Sequence, residues 1–451
     1  MEEEPTQPST HLTPDPSEAA RAGRAKRGAR ALALDVTPLR ESREFRLLFA
    51  GQTVSFFGSM MTFVALPWQV YRLTGGSTLV VGLLSAAEVV PILLTAFVGG
   101  ALADAFDRRR LIRVTEALLA LGTLLLIFNS LLTEPRVWVL FVCAALFAAL
   151  NGLQRPSLDA LVPRLVPAEQ LSAALALRSL GTTVSMIGGP ALGGLLVVGL
   201  GPLTAYTIDF VTFAASLAAL WAMRATPPPA GAERPSLRSI AAGLRYARSR
   251  PELLGTYLID LNAMFFGMPM ALFPAVADAF GGAGLGLLYA APAFGAMCVT
   301  LTSGWAQRVN RHGLCVALAA GAWGLAIVGF GLAPTLWAAL LCLALAGAAD
   351  MVSGLFRMTI WNQAIPDHLR GRLAGVEMIS YTTGPLLGNA ESGLIARLFG
   401  VRASIVSGGQ LCVAGTALLS LLLPQLIRYD ARAGLARRRA EEEAHTLKTK
   451  E

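Results

Sequence analysis

Four carboxylates placed inside long apolar stretches, Glu88, Asp209, Asp260 and Asp350, are the residues of this chain whose type and position could do chemistry. A charge in a hydrocarbon layer costs at least ~2.5 kcal/mol on insertion scales, so each must face a cavity, meet a partner or lie near an interface. A carboxylate presented in turn to the two sides of a membrane takes up a proton on one and releases it on the other. Proton or substrate handling is the expected role, with Asp260 and Glu88 first and structural pairing as the competing reading. Asp350 and Arg357 share one helix face, which favours a structural pair. Asp209 has Tyr206 and Thr207 close by to hold it. Arg178, Arg357 and Glu377 fall nearer span ends, where snorkelling or ion pairing accounts for them.

The elements that must position these groups are membrane spans. Of the 451 residues, 54% are hydrophobic and only 15% are charged, more apolar than a domain with a polar surface can be. A helix needs about 20 residues to cross the ~30 Å hydrocarbon layer. Twelve stretches qualify: 47–71, 78–103, 111–132, 137–158, 171–199, 202–223, 252–276, 283–305, 313–333, 335–362, 373–396 and 402–427. The fold class predicted is all-α, twelve transmembrane helices in two six-helix pseudo-symmetric halves. Arginines concentrate in alternate loops, among them Arg108, Arg109, Arg110, Arg164, Arg308 and Arg370, which places both termini in the cytoplasm by the positive-inside rule. Residues 1–40 read as a disordered cytoplasmic tail, 41–224 as the first half, 225–250 as a linker, 251–427 as the second half and 428–451 as a cytoplasmic C-terminal tail. In the linker, Ser236 caps a segment with Leu237, Ile240 and Leu244, which predicts a helix lying on the membrane surface.

The net charge of +8 is explained by these flanking arginines, so no nucleic-acid partner is expected. Cys143, Cys298, Cys315, Cys342 and Cys412 have no metal-like spacing and read as small packing residues. The chain has no phosphate-binding glycine loop and no nucleophile with a base, so an enzyme is not expected, nor direct ATP coupling or any cofactor beyond the proton motive force. His312 reads as part of a basic loop.

Glycine and proline recur at matched places. Gly188, Gly189, Pro190, Gly193 and Gly194 in the fifth span are answered by Gly384, Pro385 and Gly388 in the eleventh, and Gly152, Leu153, Arg155 and Pro163 by Gly354, Leu355, Arg357 and Pro366. Such residues let membrane helices approach closely and bend. A parallel duplication of six spans is the layout of a rocker-type secondary transporter with its site between the halves. A duplicated chain completes its own pathway, so a monomer in the lipid bilayer is expected.

The loop after span 2 carries Gly100, Asp104, Arg108 and Arg109, and at this point the chain resembles the major facilitator superfamily, whose signature there is Gly-x-x-x-Asp followed by basic residues. The resemblance implies a latch in which Asp104 pairs with Arg108 or Arg109 and with a helix start. Ala105 and Asp107 depart from the pattern, where arginine and glycine are usual. Gly189, Pro190, Gly193 and Gly194 match the superfamily's antiporter signature, with Ser185 in place of its first glycine. Stretches such as Gly286 to Gly295 and the loop Pro366 to Arg372 resemble the drug and siderophore exporter branch, over nearly all of residues 40–427. That implies a proton-coupled efflux permease of the cytoplasmic membrane, moving a siderophore or related small amphipathic molecule by alternating access. A multidrug or macrolide exporter is the first alternative, then an importer, then a non-transporting sensor. Met264, Phe265, Phe266, Met268 and Met270 of span 7 would suit a bulky amphipathic substrate as an adaptable wall, with lipid-facing packing as the competing and, for any one residue, favoured reading.

Overall fold

The computed structural model describes residues 35–105, 107–224, 245–246, 248–282, 284–365 and 367–430, without the side chains of 96–105 and 367–380. The two tails' outer parts, the linker helix expected around Ser236, and the side chains of Asp104 and Glu377 lie outside the described residues.

Twelve long elements follow the apolar stretches. They are α1 (Arg43–Leu73), α2 (Thr78–Ala105), α3 (Arg108–Leu131), α4 (Val137–Leu161), α5 (Leu171–Leu200), α6 (Pro202–Ala222), α7 (Pro251–Phe266), α8 (Leu285–Leu301), α9 (His312–Leu332), α10 (Leu336–Ala364), α11 (Asp367–Phe399) and α12 (Val401–Leu422). A short helix, Thr37–Glu41, precedes α1 and overlaps the end of the stretch read as tail. Ser42 then starts α1 by accepting from the Phe45 amide at 3.1 Å while donating to the Leu165 carbonyl at 2.7 Å.

The halves repeat one packing plan. In the first, α1 lies against α5 and α6, α2 against α4, and α3 against α4 and α6. In the second, α7 lies against α11 and α12, α8 against α10, and α9 against α10 and α12. The same two-fold relation governs the contacts between halves, α2 with α11 and α5 with α8. Backbones touch there because side chains are missing. A Cβ on Gly82 would lie 2.8 Å from the Asn389 carbonyl oxygen and 3.1 Å from the Gly393 Cα, and Gly194 abuts Gly286 in the same manner. Matched glycines with positive φ, Gly201 (87°) and Gly400 (93°), turn α5 into α6 and α11 into α12 at this end.

The seventh span is not the continuous helix expected over 252–276. It stops at Phe266, makes one turn at Met270–Leu272 and resumes as Phe273–Ala279. Pro269 has no amide to offer the ladder, and unpaired backbone is costly away from water, so neighbouring side chains supply partners. Trp323 Nε1 donates to the Gly267 carbonyl at 3.1 Å, the Ala271 amide donates to Asn389 Oδ1 at 3.0 Å, and the Tyr289 hydroxyl donates to the Met270 carbonyl at 3.2 Å. Asn389→Leu leaves the buried Ala271 amide without its acceptor and is expected to destabilise the protein by roughly 1–3 kcal/mol, read as a lowered thermal midpoint in detergent. An unchanged midpoint would mean the break is held by packing alone.

Candidate functional site

One cavity of about 780 Å³ lies between the halves. At one end it stops against the glycine crossings, where Thr78 Oγ1 also donates to the Gly393 carbonyl at 3.3 Å and Arg72 meets Asp278 at 3.5 Å. It extends along α1 to Phe45 and along α4 to Asp159 and Val162, toward the end that carries the arginine-rich loops. Phe49, Phe56, Met60 and Phe63 of α1 and Met186 of α5 give it a soft aromatic wall. Of the apolar span-7 residues expected to form that wall, only Met270 reaches it. Met264 instead packs under Gly384, and Phe265 stands edge-on to Phe266.

Among the described residues, every carboxylate and guanidinium lining the cavity comes from the first half: Glu88, Glu116, Asp159, Asp209, Arg155 and Arg178. The second half contributes Tyr289, Tyr381, Thr382, Asn389 and apolar groups. Asp209, 1% exposed, is not held by Tyr206 and Thr207 as its surroundings in sequence suggest. Thr62 donates to Oδ2 at 2.5 Å, and Ser59 and Thr212 face Oδ1 at 3.5 Å. Tyr206 points to Gln69 Oε1 at 2.8 Å, and Thr207 donates to its own helix at the Leu203 carbonyl. The reason is rotational: Tyr206 and Asp209 reach different turns of α1. Gly58 leaves room for the carboxyl, since a Cβ there would sit 2.8 Å from Asp209 Oδ1.

Glu116 is a buried acid that the sequence reading passes over. It is 1% exposed, and its Oε2 accepts from Gln154 Nε2 at 2.6 Å and Gln52 Nε2 at 3.3 Å. The signal available was its position about two turns inside α3, just past Arg113. Toward the open end, Arg178 pairs with Asp159 at 2.7 Å, and the Arg155 guanidinium lies 5.6 Å from the ring centre of Tyr381, bridging the halves.

Asp260 and Asp350 stand apart from the cavity lining. Arg357 contacts Asp260 directly and reaches Asp350 at 3.6 Å, so the pair expected between Asp350 and Arg357 is one arm of a three-residue cluster. Asp260, ranked beside Glu88 from sequence, therefore sits in an ion pair within the second half. His312 also departs from expectation, being 5% exposed, with its ring 5.3 Å from Phe356.

The basic residues after α2 are engaged within the first half. Asp107 caps α3 by accepting from the Arg109 amide at 2.9 Å, which gives a reason for aspartate where glycine is usual. Arg109 donates to the Leu220 and Trp221 carbonyls, each at 3.0 Å, and Arg108 to Ala160 at 2.9 Å. Both guanidiniums thus satisfy the orphan carbonyls and negative dipole ends of α6 and α4. In α5, Gly189 and Gly193 pack on Met60 and Met61 of α1, while the Pro190 carbonyl and Gly194 meet Gly286 of α8.

Residues 33–450 match the family model described as transmembrane secretion effector. The chain belongs to the major facilitator superfamily. It is 31% identical over 399 residues to the enterobactin exporter EntS of Shigella boydii serotype 4, covering 88% of this chain and 95% of the relative, and equally so to that of Citrobacter koseri. In fold it is similar to a POT family transporter in complex with 5-aminolevulinic acid, with a TM-score of 0.68, 12% identity and coverage of 85% and 97% of the two chains. A bacterial homologue of the human lysosomal transporter Spinster gives a TM-score of 0.64 at 15% identity, covering 88% and 97%. The major facilitator fold with an exporter as relative identifies a multi-pass membrane transporter of small molecules, not an enzyme.

Proposed function

We propose that this transporter is a proton-coupled efflux permease of the cytoplasmic membrane, with both termini inside, that exports a siderophore of the enterobactin kind by alternating access. The observation that carries the reading is the acid-lined cavity between two halves joined by bare glycine crossings at one end. Glu88 and Asp209 face that cavity, and the partners of Asp209 among the described residues are hydroxyls, not cations. Carboxylates so placed exchange protons as the halves rock. The relatives named enterobactin exporter supply the direction and the first substrate to try. The aromatic and methionine wall supports a second reading, a drug or macrolide exporter, because it asks only for an amphipathic body.

Inverted membrane vesicles loaded with the protein test both. With the lumen acid, wild type is expected to accumulate enterobactin, and Glu88→Gln and Asp209→Asn to lose the gradient-driven part, at least about tenfold in initial rate. Accumulation in right-side-out vesicles alone would establish import. Uptake of a macrolide without enterobactin would establish the second reading.

A further inference from the structure

The two halves treat one matched arginine differently. Arg155 of α4 and Arg357 of α10 occupy the same place in the repeat, each three residues after a glycine, Gly152 and Gly354. Arg357 is 11% exposed and is neutralised by Asp260 and by Asp350, which stands seven residues before it on the same helix face. Seven residues before Arg155 stands Ala148, so the first half lacks that carboxylate. Asp159, one turn beyond Arg155, is taken by Arg178 at 2.7 Å. Among the described residues no carboxylate comes within ion-pair distance of Arg155, whose guanidinium instead lies 5.6 Å from the ring centre of Tyr381. A ring quadrupole carries no net charge, so the positive charge stays uncancelled. The Arg155 side chain is exposed and lines the cavity, within reach of whatever enters it. Asp209 meets α1 at Ser59 and Thr62, well inside from Phe45, whereas Arg155 lies one turn from Asp159 at the open end. The chamber is thus polarised along its length, with acids inside and an uncompensated guanidinium at its mouth.

We infer that Arg155 recognises the cargo by an anionic group with two oxygens in one plane, such as a carboxylate, held at the mouth while the aromatic wall of α1 takes the apolar body. A guanidinium presents its N–H donors as a flat fork that matches such a group, and the charge-assisted contact disfavours a cationic head at the same place. The second half uses its copy of the arginine to hold helices together, and the first half, with the partner at position 148 deleted to alanine, uses its copy to bind. This rests on the efflux reading and adds the chemistry of the group recognised.

Three probes with one apolar body test the assignment: 4-hexylbenzoate, 4-hexylbenzyl alcohol and 4-hexylbenzylamine. Binding to the full chain in lipid nanodiscs, corrected for empty discs, needs no proton gradient and no direction of transport, so its failure is distinct from a failure of vesicle export. Wild type is expected to prefer the benzoate. Arg155→Gln should weaken the benzoate by about tenfold to a hundredfold, as for loss of a hydrogen-bonded charge, and leave the alcohol unchanged. Ala148→Asp restores the carboxylate that the second half has, and should weaken the benzoate with Arg155 still present; if this buried position refuses the larger side chain, Arg155→Gln carries the test alone. Arg155→Lys keeps the charge without the fork and should fall between, and affinity equal to wild type would overturn the two-oxygen part. Equal benzoate affinity in wild type and Arg155→Gln, an equal loss for the alcohol, a wild-type preference for the amine, or no benzoate binding to wild type would each overturn the assignment.

Discussion

Replacing Arg357 with alanine is expected to destabilise the transporter by about 3–5 kcal/mol, the cost of removing one partner from a buried ion pair. The Asp260 side chain is 4% exposed and its arginine partner 11% exposed, so water does not take over when the guanidinium is gone. The opposite deletion is milder. In Asp260→Asn, Arg357 keeps Asp350 at 3.6 Å, and a neutral amide remains where the carboxylate was. Arg357→Ala combined with Asp260→Asn should therefore recover much of the single variant's loss, because the uncompensated charge has been removed along with its partner. Thermal unfolding of all three in detergent reads the order directly. Additive losses in the double variant would mean that the two residues act independently, and would return Asp260 to the set of carboxylates available for transport.

The spans were legible because each is long and apolar, and the duplication because Gly189 and Pro190 find Gly384 and Pro385 at the same place in the other half. Close approach needs small residues, and their spacing survives in a bare sequence. The site was less legible, since its decisive partners are remote. Thr62, which binds Asp209, lies 147 residues away, and Gln154 lies 38 from Glu116. Helical neighbours such as Tyr206 and Thr207 look closer along the chain but face other turns. Arg357 shows the same effect: its partner one helix face away, Asp350, was visible, and its contact with Asp260 on α7 was not. The break in α7 had a local signal, Gly267 and Pro269, but its stability depends on Trp323, Asn389 and Tyr289 from three other helices. Apolar length alone argued for one unbroken span. Glu116 was overlooked because the basic residues before it make the start of α3 resemble an interface, whereas its side chain is turned inward to the chamber.

Gly286→Val is expected to arrest transport while leaving the fold intact. A Cβ at Gly286 would collide with the Pro190 carbonyl and lie 2.7 Å from the Ala191 carbonyl oxygen and 3.0 Å from its Cα. These are backbone atoms of α5, so no side-chain rotation relieves the clash. Because α5 and α8 belong to different halves, the cost falls on the closure of this end and not on either bundle. Overpacking of this size amounts to about 1–3 kcal/mol, which shifts a two-state balance by roughly 5- to 150-fold. The crossing would stay apart and the cavity would open on the side of the α1–α2 loop. Two readouts check it. Gradient-driven uptake into inverted vesicles should fall toward background, while the thermal midpoint stays near that of wild type. A cysteine at Ser85, on the cavity wall, should react faster with an impermeant maleimide applied from that side in the Gly286→Val background than with Gly286 retained. Unchanged labelling together with unchanged transport would show that the Gly194–Gly286 contact is incidental to the cycle, and the bare glycines would then serve static packing alone.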